Sequence, residues 1–258
     1  MGLRDRSGLA SAGRVVVKVG SSSISGANEG KIEQLVDALA AAHARGVEVI
    51  LVSSGAIATG LPLLNLESKP DDLATQQALA SVGQSRLISR YQHSLERYGI
   101  VAGQVLLTSG DMEVEETRLN AKRAMDKLVS LRVLPIVNEN DTVATAEIRF
   151  GDNDRLAALV AILVEADALV LLSDVDALYD MPPTKPEAKR IDVVAFGQDM
   201  SAIEVGGSSS AVGTGGAVTK VGAAKLATES GVSVLLTSTD NVALALQGAS
   251  VGTWFESE

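Results

Sequence analysis

From Arg14 to Val19 the chain is almost continuously apolar and β-branched (Val15, Val16, Val17 and Val19). A run without polar alternation predicts a strand buried on both faces. Short apolar runs recur at Val47 to Val52, Gly103 to Leu107, Val133 to Val137, Ala168 to Leu172, Val232 to Leu236 and near Val251 to Phe255. Helical segments fit between them at Lys31 to Ala44 (closing at Gly46), Thr117 to Val129, Asn153 to Val164 and Val218 to Ser230. Asp71 to Arg97 reads as one long helix or two, with Gly83 as the break. Strands alternating with helices predict right-handed βαβ units, and hence an α/β fold with a parallel sheet covered on both faces. The stretch Asp180 to Arg190, with Pro182, Pro183 and Pro186, predicts a surface loop. Residues 1–13 are small, polar and charged and predict a flexible tail ahead of a single domain over 14–258.

Composition narrows the function classes. Only 3% of the residues are aromatic against 46% hydrophobic, so Val, Leu, Ala and Ile must fill the core. A net charge of −10 with no cluster of Lys and Arg argues against a nucleic-acid surface, because neutralising phosphates takes grouped cations. With no cysteine, disulfides, thiolate metal sites and cysteine nucleophiles all drop out. That usage fits a reducing, cytoplasmic setting. The N-terminal residues lack the apolar centre of a signal peptide, and Arg6 stands where a myristoylation motif needs a hydroxyl. The longest apolar run, Leu156 to Val164, is too short to span a bilayer.

The densest chemistry lies between Val137 and Asp154. The apolar strand there ends in Asn138, Glu139, Asn140 and Asp141, and Asp152, Asn153 and Asp154 stand just before a helix. Strand ends that open into amides and carboxylates are where α/β sheets keep ligands. This patch suits a substrate ammonium or Mg²⁺ better than a solvated loop. Lys18 interrupts a buried strand and is followed by Gly20 and three serines. A charge there is costly unless paired or used, and the turn beside it offers backbone donors to a phosphate. Ser53-Ser54-Gly55-Ala56 opens a helix after the second strand, which suits an anion, although an ordinary N-cap explains Ser54 by itself. Gly206 to Lys220 reads GGSSSAVGTGGAVTK. Its first half reads as linker, whereas Gly213 to Lys220 leads into a helix and suits a phosphate. It is neither a Walker A loop nor a dinucleotide fingerprint. Ser173, Asp174 and Tyr179 offer a weaker signal for a base and ribose. His43 and His93 have no carboxylate at metal-ligand spacing, so a metal would be oxygen-bound and arrive with a nucleotide.

Lys18-Val19-Gly20, Ser53-Ser54-Gly55-Ala56, VNENDTVATAEI, GDND and GTGGAVTK, in this order, closely resemble the glutamate 5-kinases of the amino acid kinase family. QQALASVGQSRL (Gln76 to Leu87) and GQVLLT (Gly103 to Thr108) extend the resemblance over nearly the whole chain from Val15 onward. It implies an αβα sandwich around a largely parallel sheet of about eight strands. It also implies phosphorylation of the γ-carboxylate of L-glutamate by ATP, with Mg²⁺ carried on the nucleotide phosphates, as the first step toward proline. By this likeness Lys18, Lys220 and Asp152 are catalytic, with Asp152 organising the two lysines. Ser54, Gly55, Ala56, Asn138, Asp141 and Asn153 bind glutamate. Lys18, Gly20, Ser173, Asp174, Tyr179, Thr214, Gly215, Gly216, Ala217, Val218, Thr219 and Lys220 bind ATP. Ala217 and Ala177 stand where the family usually has methionine and glycine, which predicts altered ATP affinity rather than inactivity. The resemblance further implies proline as a feedback inhibitor acting near Glu139 to Phe150, a homo-oligomer, and a reductase that consumes the acyl phosphate. The chain stops where many relatives continue into a PUA domain, so it is either a kinase-only form or a piece of a longer chain. Acetylglutamate kinase is the nearest alternative, and Asp141 argues against it because an acylated nitrogen brings no charge. A non-catalytic sensor has no reason to keep both Lys18 and Lys220. An NAD-dependent oxidoreductase would need the fingerprint that is missing.

Overall fold

The computed structural model describes residues 2–143, 153–200 and 216–258. In chain order the strands are β1 (Arg14–Lys18), β2 (Glu48–Val52), β3 (Ala102–Leu107), β4 (Leu134–Glu139), β5 (Ala168–Ser173), β6 (Leu178–Tyr179), β7 (Arg190–Ile191), β8 (Val193–Val194), β9 (Ser233–Ser238) and β10 (Thr253–Phe255). The helices are α1 (Lys31–Ala44), α2 (Ala56–Gly60), α3 (Leu73–Glu96), α4 (Ser109–Glu113), α5 (Glu115–Ser130), α6 (Asn153–Leu163), α7 (Ala217–Thr228) and α8 (Val242–Leu246). Eight strands form one sheet in the order β3-β4-β2-β1-β5-β9-β10-β8, the architecture expected from the alternating pattern. Every neighbouring pair is parallel except β9 and β10. The parallel strands therefore end at a common edge, where side chains from distant parts of the sequence meet.

The unbroken apolar strands are explained by burial on both faces. Val15 and Val17 pack with α1, α3 and α8 on one side, through Leu35, Tyr91 and Val242 among others. Val16 packs on the other side with α5, α6 and α7, through Met125, Ala157 and Ala224. Aliphatic side chains do most of this filling, as the low aromatic content requires. Trp254 and Tyr91 are the large aromatic exceptions and are fully buried.

Of two helix alternatives one is settled, the tail reading is revised, and the expected surface loop gains a detail. Gly83 does not break a helix: α3 runs through it from Leu73 to Glu96. A Cβ at Gly83 would lie 1.9 Å from the Ala56 carbonyl oxygen, and one at Gly60 would lie 2.2 Å from the Leu79 carbonyl oxygen. These glycines let α2 and α3 touch backbone to backbone, a closeness no side chain tolerates. The N-terminal stretch is not a loose tail. Arg6–Ser11 form a 3₁₀ turn capped by Asp5, Leu9 is buried in the core, and the Arg6 guanidinium donates to the carbonyls of Val251 and Gly252 at 2.9 and 3.0 Å. The proline-containing loop, finally, is closed at its base by the antiparallel pair β6 and β7. Among the described residues no helix is long and apolar enough to cross a membrane.

Candidate active site

Helices α6 and α7 carry the same surface pattern. Asp154, Ala157, Ala158 and Ala161 are buried along α6, and Lys220, Ala223, Ala224 and Ala227 along α7. Spacing of i, i+3, i+4 and i+7 puts each set on one stripe. Alanine keeps the stripes thin, so both helices lie close to the sheet and each delivers one charged side chain to its edge. Between them rises Lys18, the last residue of β1.

These three charges meet in one group. The Lys18 ammonium lies 2.5 Å from Asp154 Oδ1, and the Lys220 ammonium lies 3.1 Å from Oδ2. Thr219 Oγ1 donates to the same Oδ2 at 3.0 Å and to the Gly216 carbonyl at 2.8 Å. Lys18 is 3% exposed, Lys220 6% and Asp154 0%, so none of them spends its charge on water. Burial alone would raise the Asp154 pKa, but the two ammoniums overcome it and hold the carboxyl well below the usual carboxylate range. Among the described residues these two cations share this one anion, a formal surplus of one positive charge in a poorly solvated place. Such a surplus calls for an anion. Gly20 stands beside it, since a Cβ there would lie 3.8 Å from Lys18 Nζ.

Among the described residues Asp154 joins the two lysines, and it falls in register with the buried alanine stripe of α6. Asp152, to which the resemblance gives that role, lies outside the described residues. Thr214 and Gly215 also lie outside them. Gly216 caps α7 in extended conformation, Ala217 is half-buried and Val218 is exposed.

Further along the same edge, a cavity of about 190 Å³ is lined by Ala56, Gln84, Gln104, Glu139 and Asp141, with other small polar residues. Burial pushes the Asp141 carboxyl up to about 6, against a weaker opposing pull from the Lys69 ammonium. Asn138 lies beneath, 1% exposed. Its Oδ1 accepts from the Glu139 backbone N–H at 2.9 Å, and its Nδ2 donates to Gln84 Oε1 at 2.6 Å. Asn153 Oδ1 is buried without a hydrogen-bond partner among the described residues. Ser53 is buried and its hydroxyl lies 2.9 Å from that of Tyr91. The next residues turn through Gly55, whose φ of +102° needs glycine, into Ala56, which lines the cavity; Ser54 is not among the lining residues.

At the end of β5, Ser173 Oγ donates to Asp174 Oδ1 at 3.1 Å. The Tyr179 hydroxyl donates to Asp176 at 2.9 Å, and that bond is the main cause raising its pKa. Ser173 and Asp174 lie at the end of β5, next to β1 in the sheet, whereas Tyr179 belongs to the separate β6–β7 pair. Sequence reasoning missed the role of Asp154 and passed over Gln84, which sits in the quoted QQALASVGQSRL segment. The repeated charge-x-x-Ala-Ala-x-x-Ala pattern marks Asp154. No local pattern marks Gln84.

Comparison with known proteins agrees with this geometry. Residues 13–238 match the amino acid kinase family. The chain is 69% identical over 255 residues to a Clavibacter sepedonicus protein named glutamate 5-kinase, covering 99% of this chain and 98% of that one. It is 65% identical over 256 residues to a Leifsonia xyli subsp. xyli protein of the same name, covering 99% and 95%. Among solved structures, carbamate kinase from Giardia lamblia bound to AMP-PNP superposes with a TM-score of 0.66 at 16% identity, covering 96% of this chain and 100% of that one. At that identity the likeness is one of fold.

Proposed function

The chain belongs to the amino acid kinase family, and we propose that it transfers the terminal phosphoryl group of ATP to the γ-carboxylate of L-glutamate. A carboxylate oxygen forms a bond to the γ-phosphorus while the bond to the ADP oxygen breaks, giving γ-glutamyl phosphate and ADP. The observation that carries this reading is the buried Lys18–Asp154–Lys220 group with its surplus positive charge. Near-full-length identity to proteins named glutamate 5-kinase supports the choice of glutamate.

Both partners in this reaction are anions, so the protein's task is alignment and neutralisation. Lys18 and Lys220 hold the moving phosphoryl group from two sides. A unit charge pair at about 4 Å is worth roughly 1 kcal/mol in water and roughly 4 at an effective dielectric near 20, so burial decides how much they contribute. Asp154 fixes the spacing of both ammoniums. It is a poor proton acceptor because the lysines keep it ionised, and none is needed, since the substrate carboxylate is already ionised at neutral pH. Asp141 meets the substrate ammonium, and Asn138 and Asn153 meet its polar ends. Ser54, Gly55 and Ala56 close the glutamate side, and Ser173, Asp174, Tyr179 and the residues leading into α7 take the nucleotide. Mg²⁺ on the phosphates would supply further neutralisation. Among the described residues no group of three His, Cys, Asp or Glu side chains is placed to hold a metal, so no step is assigned to it.

The same resemblance supports proline as an inhibitor competing for the glutamate cavity, a homo-oligomeric state, a cytoplasmic setting and a reductase that takes up the labile acyl phosphate. Unchanged turnover at saturating proline would remove the first of these. The decisive experiment is ATP turnover with Mg²⁺ and L-glutamate for wild type, Lys18→Ala and Asp141→Ala. Turnover requires glutamate, disappears without Lys18 and loses glutamate affinity without Asp141. Turnover with N-acetylglutamate or aspartate in place of glutamate would overturn the substrate while keeping the chemistry.

A further inference from the structure

The cavity beside Asp141 contains a hydrogen-bond relay whose direction is determined. Amide oxygen and nitrogen are easily interchanged in Asn and Gln, and only their partners tell them apart. Here the first partner is a backbone N–H, which can only donate. The Glu139 N–H therefore fixes Asn138 Oδ1 as the acceptor, which turns Asn138 Nδ2 toward Gln84. Asn138 Nδ2 can only donate, so Gln84 must present Oε1 to it. The Gln84 NH₂ then points away from Asn138. Gln84 lines the cavity, and no hydrogen bond of its NH₂ to another described residue is recorded.

We infer that Gln84 binds the non-reacting carboxylate of the substrate through this amide nitrogen, and that Asn138 positions it to do so. The inference rests on the glutamate reading above. An α-amino acid presents an ammonium and a carboxylate on adjacent atoms. The cavity is lined by the carboxylates Asp141 and Glu139 and by an oriented amide donor, Gln84. Neither Lys18, Lys220 nor Asp154 lines this cavity, so the carboxylate received here is the one that stays unphosphorylated. Helix α3 supplies the donor by its phase. Gly83 seats the helix against Ala56, and the next residue, Gln84, is thereby carried under the end of β4.

Gln84→Glu separates the two roles of this side chain. A glutamate carboxylate still accepts from Asn138 Nδ2, so the positioning bond survives. Its other oxygen replaces the cavity-facing NH₂ and repels the substrate carboxylate. The expected result is a KM for L-glutamate raised about 10- to 100-fold, the range for losing a hydrogen bond to a charged group. KM for ATP stays within about twofold, the scatter of a remote change, and the thermal midpoint is that of wild type. Gln84→Asn, one methylene shorter, recovers part of the loss because it restores the donor. Unchanged glutamate KM in Gln84→Glu beside an active wild type would overturn the assignment of Gln84 alone. A wild type that neither binds glutamate by calorimetry nor turns it over would overturn the reaction reading, and this inference with it.

Discussion

The two ends of the site are built on opposite terms. At the lysine end, ammonium, carboxylate and hydroxyl are locked together in the core, and what remains for a ligand is a surplus of charge. At the cavity end, burial raises the Asp141 carboxyl to about 6, and Gln84 lines the cavity with its amide oxygen already engaged by Asn138. One end is complete before a ligand arrives and holds a general anion. The other is left incomplete in a specific pattern and selects a particular molecule. Damage to the first should cost stability and rate together, whereas damage to the second should cost affinity.

The sharpest way to break that contrast is Asp154→Ala, which leaves two ammoniums buried without a counter-ion. Removing one partner of a buried ion group costs about 3–5 kcal/mol, and kcat should fall by roughly 10²–10³ as the lysines lose their spacing. Urea denaturation and steady-state kinetics read the two losses, and full stability in the variant would refute the charge accounting. The pH dependence has a definite sign. The folded pKa of Asp154 lies below its unfolded value, so its contribution is complete above the unfolded pKa and is lost as pH falls through the folded one.

Gly83→Ala comes next. The new methyl must force α2 from α3 at the Ala56 carbonyl, an overpacking worth about 1–3 kcal/mol. Because Gln84 and Ala56 both line the cavity, glutamate KM should rise while ATP KM holds. Equal increases in both would mean that the two ends are mechanically one. A third test uses Asp141, whose carboxyl must be ionised to meet an ammonium. With its pKa near 6, glutamate KM should rise below pH 6, approaching roughly tenfold per pH unit as the ionised fraction falls. Asp141→Asn should abolish that inflection and leave a uniformly weak site. The smallest effect is expected from Tyr91→Phe, which removes the bond to Ser53 for about 1 kcal/mol and leaves both KM values unchanged.

What could be read in the sequence divides along a physical line. The strands were legible because burial on both faces leaves a one-dimensional trace, an unbroken apolar run. Lys18 was legible because it violates that trace. Asp154 required helical phase as well, because a motif alone does not separate two aspartates two positions apart. Gly83 was ambiguous because a helix break and a helix contact both call for glycine, and only the neighbouring backbone at 60 and 56 separates them. Gln84 was invisible, since its meaning comes from Asn138, 54 positions away, and from a backbone donor beyond that.

Strand β1 pairs with β2 on one side and β5 on the other, in the middle of the sheet. Lys18 is its last residue, so the cation at the reaction centre belongs to the element with the least freedom to open locally. Asn138, Glu139 and the cavity hang instead on β4 and the outermost strand β3. In rising denaturant the molecule would forget which substrate it recognises before it loses the means to hold a phosphate. The order in which those abilities fade would be a direct record of strand order.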